Sequence, residues 1–166
     1  MTTAGGVERK VWTEAELEAL PEDGYNHEVV DGELVMSPKN NPYHGDICAD
    51  LSMALRAFAK ARQLGAVWDS STGFWMDNRN CRAPDLAVEI LSPNNTRKEI
   101  DERLKDFFAS GTQITWIINP DTECVEVCYA LNRRKLVGSG ADLDGEHVLP
   151  GFRYPIADLF KGWDWE

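Results

Sequence analysis

Within "PDLAVEILS" the even positions Leu86, Val88 and Ile90 form one apolar face, while Asp85, Ala87, Glu89 and Leu91 point the other way. That period of two predicts a strand with both acids on one side. The spacing then turns helical. Thr96 and Glu99 stand at capping-box distance, Ile100, Leu104, Phe107 and Phe108 form an apolar stripe, and Gly111 follows, which predicts a helix covering the strand. A longer helix is expected earlier, where Ile47, Leu51, Ala54, Leu55 and Phe58 recur at helical intervals. Its charges suit the helix dipole, with Asp46 and Asp50 early, Arg56, Lys60 and Arg62 late, and Gly65 past the end. Thr13 and Glu16 repeat the capping-box spacing and open a short helix ended by Pro21.

"HEVVDGELVMS" reads as a hairpin about Asp31-Gly32, with Glu28 on its first arm. "AVWDSSTGFWM" should supply one or two strands. "ITWIIN" and "CVEVCYA" supply two more, split by Pro120-Asp121, and "RRKLVG" another. The tail carries turn chemistry at Asp144-Gly145 and Pro150-Gly151 before a closing apolar segment. The order of elements predicts an α/β sandwich around a mixed sheet.

Length and composition narrow the function classes. A chain of 166 residues, 43% hydrophobic and 27% charged, is that of one ordinary globular domain. "MTTAGGVERK" has no apolar h-region and no later stretch approaches 18 apolar residues, so neither a signal peptide nor a membrane span is expected, and a cytoplasmic location is. The four cysteines, Cys48, Cys81, Cys124 and Cys128, lack paired CxxC spacing, so reduced, inert thiols are expected. A net charge of -11 repels phosphate backbones as a whole. Local basic clusters remain at Arg56, Lys60 and Arg62, at Arg97 and Lys98, and from Arg133 through Lys135, where solvated helix ends and turns are the ordinary explanation.

A buried carboxylate is normally neutralised, paired with a cation or bound to a metal. Asp85 and Glu89 therefore have two accounts. In one, Asp85 caps the strand start and Glu89 pairs with Arg82, Arg97 or Arg103. In the other, both serve Mg²⁺ or Mn²⁺, hard cations that take one or two carboxylates together with waters and phosphate oxygens.

The segments "HEVVDGELVMSP", "PDLAVEILSPNN", "ASGTQITWIINP" with "VEVCYA", and "DGEHVLPGF" occur in this order along the chain. Together they resemble the Uma-two family of restriction endonucleases, a branch of the PD-(D/E)XK nuclease superfamily, from about Tyr25 to Phe160. The resemblance implies a restriction-endonuclease-like α/β fold, a mixed β-sheet flanked by helices, over residues 25–166, with residues 1–24 as an N-terminal helical extension. It also implies an Mg²⁺- or Mn²⁺-dependent endonuclease acting on DNA, and a homodimer. Its site residues match Glu28 as an accessory acid, Asp85 and Glu89 as metal ligands, and Arg103 where the family has a lysine. His44, at the start of the long helix, falls where relatives often have a histidine, and an ordinary helix N-terminal polar residue accounts for it as well.

Two departures keep a second reading open. Many relatives carry the "PD" strand and the "PDLxVEILSP" strand as separate segments, and here one segment stands for both. On a straight strand Asp85 and Glu89 have Cα atoms about 13 Å apart, whereas two oxygens on one Mg²⁺ lie within roughly 4 Å of each other. A bulge between Leu86 and Val88, or another acid, is needed to rebuild a two-ligand site. Arg103 keeps the positive charge but replaces a lysine poorly, because it stays protonated and forked. The alternative is a catalytically inactive nuclease-fold module for binding or oligomerisation.

Overall fold

A computed structural model describes residues 12–30, 33–38, 41–68 and 84–162. The chain forms two compact units, Met1–Asn41 and Pro42–Glu166. In the first, α1 (Glu14–Glu18) opens on Thr13, and both halves of the predicted capping box are made. The hairpin follows as β1 (Tyr25–Val30) and β2 (Glu33–Pro38), antiparallel, with Val30 opposite Glu33 and Glu28 opposite Val35. Its turn residues, 31 and 32, lie outside the described residues.

The second unit begins with α2 (Pro42–Arg62), which buries Ile47, Leu51, Leu55 and Ala59 on one stripe. The helix ends at Arg62, with Gln63 in the left-handed conformation at φ 54 and Gly65 past the end as expected. Ala66 to Trp68 form no strand, and the rest of "AVWDSSTGFWM", residues 69–76, falls outside the described residues. A four-stranded sheet is then built in the order β3 (Leu86–Ile90), β4 (Ile114–Asn119), β5 (Cys124–Ala130), β6 (Arg133–Gly138). β3 and β4 run parallel and the other pairs antiparallel, so the sheet is mixed as expected. Between β3 and β4 lies α3 (Arg97–Ser110), capped by the Thr96–Glu99 box and ended by Gly111 at φ 106. The polypeptide turns from β4 to β5 where Asn119 Oδ1 accepts from the N–H groups of Asp121 and Thr122.

Alternation sorts the two sheet faces. Ile90, Ile114, Trp116, Ile118, Val125 and Val127 join α2 in the main core. That core also takes in Leu143 of β7 (Asp142–Asp144), Phe152, and Ile156 and Leu159 of α4 (Ile156–Leu159). Phe152 stacks on Trp116 and meets Phe58 edge-on. The opposite face carries Ile117 and Cys128, which pack with Ile100 and Leu104 of α3. The tail adds what its turn residues did not foretell, a small antiparallel pair of β7 with β8 (Arg153–Pro155). The result is a mixed sheet flanked by helices, with β3 at one edge among the described residues.

Candidate active site

β3 pairs with β4 residue for residue, Leu86 with Ile114 through Ile90 with Ile118. Five consecutive pairs leave no place for a bulge between Leu86 and Val88. Asp85 precedes the strand, at a bend, whereas Glu89 lies within it, and the two carboxylates take different partners.

Each acid has its own surroundings. Asp85 is exposed at the head of β3, where its carbonyl accepts from the N–H groups of Gln113 and Ile114. Its Oδ1 accepts from Gln113 Nε2 at 2.7 Å, and Gln113 Oε1 lies 3.0 Å from His147 Nε2. An amide oxygen only accepts, so His147 supplies the proton. Asp85 is thus held through Gln113 by the loop that carries "DGEHVLPGF".

Glu89 sits deeper, its side chain 17% exposed, and forms an ion pair with Arg103 Nη1. Helix periodicity explains the choice of cation. Ile100 and Leu104 are buried against the sheet, so Arg103 stands on the flank of that stripe and turns inward, while Lys105 is exposed. Of the three pairings expected for Glu89, the one with Arg103 forms. Arg82 lies outside the described residues, and Arg97 takes Glu126 and Asp101 instead, at 3.3 and 3.4 Å.

Glu126 of β5 adds a third acid to the α3 face, but Arg97 and Arg134 both hold it. Arg134 also bonds Asp101 at 2.8 Å. That hydrogen bond, with the positive charge of Arg97 beside it, holds the Asp101 carboxyl below its usual range. Two of the basic residues that could have formed a groove are therefore spent on neighbouring acids. On the same face burial pushes the Cys128 thiol up to about 12. On the opposite face His44 Nε2 lies 3.1 Å from the Ile90 carbonyl, and burial lowers its pKa. Glu28 is exposed on β1, in the first unit.

Among the described residues no group of three or more His, Cys, Asp and Glu side chains is placed to hold a metal. Glu89 alone still fits a hard cation, because Mg²⁺ is satisfied by one carboxylate completed with waters and phosphate oxygens. The sequence pointed to Asp85, Glu89 and Arg103. It did not point to the contacts of Gln113 with Asp85, His147 with Gln113, or Arg134 with Asp101, which join residues 28 to 34 apart.

The chain matches the family described as "Uma2: Putative restriction endonuclease" over residues 14–88 and 77–157. It belongs to that family. The two Uma2 matches share residues 77–88, a stretch that contains Asp85, so one segment is used twice, as a single copy of the "PD" strand would be. The chain is also similar to a solved structure described as "a putative nuclease belonging to DUF820 from Anabaena variabilis ATCC 29413". The two share 20% identity with a TM-score of 0.69 over 88% of this chain and 96% of that one, a likeness of fold. No curated protein matches. Among the described residues of this Uma2 chain no helix is long and apolar enough to cross a membrane.

Proposed function

We propose that this Uma2 chain is a phosphodiester hydrolase acting on DNA, of the PD-(D/E)XK kind, with Mg²⁺ or Mn²⁺ held at Glu89. The observation that carries the reading is the Glu89–Arg103 pair, a carboxylate and a permanent cation presented together on the sheet of a nuclease fold. The ion would polarise the phosphate and lower the pKa of the attacking water. Arg103 balances the Glu89 charge before substrate arrives and then serves the phosphate oxygens, which match its forked donors. It stays protonated and so cannot take the proton of that water. Asp85, whose carboxylate is held by Gln113, is assigned no ligand role in this reading. Glu28, on the hairpin of the first unit, carries no step of this reading.

A second reading, a nuclease fold that binds without cutting, is favoured by the unbroken pairing of β3 with β4. Plasmid nicking with Mg²⁺ or Mn²⁺, run beside calorimetric metal titration, separates the two. Nicking and metal heat that vanish in Glu89→Gln but persist in Asp85→Ala support hydrolysis at Glu89. If the wild type gives neither heat nor nicks, the second reading stands.

A further inference from the structure

His44 and Cys48 lie one turn apart on α2, with Cys48 Sγ 3.6 Å from His44 Nδ1. They sit on the α2 face of the sheet, opposite the face that carries Glu89, and the chemistry they offer differs from that of a carboxylate. We propose that His44 Nδ1 and Cys48 Sγ bind a thiophilic divalent cation, for which Zn²⁺ is the probe. The inference does not rest on the nuclease reading.

Two features carry it. The first is distance: zinc bonds of about 2.3 Å to sulfur and 2.0–2.1 Å to nitrogen, at the tetrahedral angle, separate the two donors by about 3.6 Å. The observed pair already has that spacing, and i,i+4 neighbours on a helix share a face. The second is tautomer. His44 Nε2 lies 3.1 Å from the carbonyl of Ile90, which can only accept, so the proton resides on Nε2 and the lone pair of Nδ1 faces the sulfur. Metal-binding imidazoles are commonly oriented in this way, by a carbonyl on the nitrogen that does not bind the ion. On binding, the Cys48 thiol gives its proton to solvent and the sulfur bonds the ion as thiolate. Zn²⁺, one thiolate and one neutral imidazole leave a net charge of +1. With two protein donors among the described residues, water completes the shell in this proposal and the affinity falls below that of a closed four-ligand site. Soft sulfur selects against Mg²⁺, which keeps this site distinct from Glu89.

The test follows alkylation of Cys48 by N-ethylmaleimide in the full chain, each cysteine being mapped by mass spectrometry. At a Zn²⁺ concentration ten times the calorimetric Kd about one thiol in eleven is free, so the Cys48 rate should fall about tenfold. Cys124, on β5, should keep its rate, Mg²⁺ should give no protection, and His44→Gln should abolish it. Unchanged alkylation of Cys48 with Zn²⁺, equal protection in His44→Gln, or equal protection of Cys124 would overturn the site. Should His44→Gln fail to fold, Cys48→Ser decides by calorimetry: loss of the Zn²⁺ heat supports the site and an unchanged heat overturns it.

Discussion

Replacing Arg103 with methionine keeps much of the side-chain bulk on α3 and removes the cation from Glu89. The size of the effect follows from exposure. Pairs fully in solvent contribute about 0.2–1 kcal/mol, while breaking a fully buried pair costs about 3–5 kcal/mol. With Glu89 17% and Arg103 31% exposed, this pair lies between those limits. We expect Arg103→Met to lose about 1–2 kcal/mol, near the solvent-exposed limit because Arg103 keeps partial hydration. For a chain of this length that lowers Tm by about 2–8 °C. Urea unfolding of the wild type, Arg103→Met, Glu89→Gln and the double variant at pH 7 forms a thermodynamic cycle. Once Glu89 is neutral the methionine has no charge to strand, so the double variant should be more stable than the two single losses predict, by about 1 kcal/mol. Losses that add to within about 0.3 kcal/mol would show that the pair contributes no coupling. The assignment of Arg103 as the partner that keeps Glu89 charged would then fail.

Other expectations concern the tail and the alkaline limb of stability. A Cβ at Gly145 would meet the Leu149 Cβ and carbonyl oxygen at 2.5 Å and the Phe152 Cβ at 2.9 Å. Gly145→Ala should therefore cost about 1–3 kcal/mol, while Gly140→Ala, with nothing within 4 Å, serves as the control in thermal melts; equal melting of the two variants would refute the clash. Burial pushes the Tyr129 hydroxyl up to about 12, aided by its hydrogen bond to Glu146, and burial likewise takes the Cys128 thiol to about 12. Their ordinary values are 10.0 and 9.0, so the unfolded chain loses these protons first. The stabilisation is complete below about pH 9 and fades as pH rises through 12. Tm measured from pH 8.5 to 11.5 should fall less steeply in a Tyr129→Phe, Cys128→Ala variant than in the wild type, and parallel curves would count against both shifts.

Much of the fold was legible because it is local. Thr13 and Thr96 announce their helices by a box closed within four residues, and both boxes form. β3 and α3 show their buried faces by period, since a slip of one residue would turn Glu89 into the core. The end of α2 was legible in part: Gly65 does lie past it, while the positive φ next to the last turn is taken by Gln63. The β7–β8 pair was missed because three-residue strands are too short to show a period.

The site divides in the same way. By itself the sequence determined that Arg103 flanks the stripe of α3 and that the chain carries the ordered motifs of Uma2. Only the tertiary structure decided that β3 pairs without a bulge, that Glu89 meets Arg103 while Arg97 goes to Glu126 and Asp101, and that His147 reaches Asp85 through Gln113. Periodicity is a property of neighbours along the chain, whereas the choice of ionic partner depends on which helix lies over which strand, a distance set by packing.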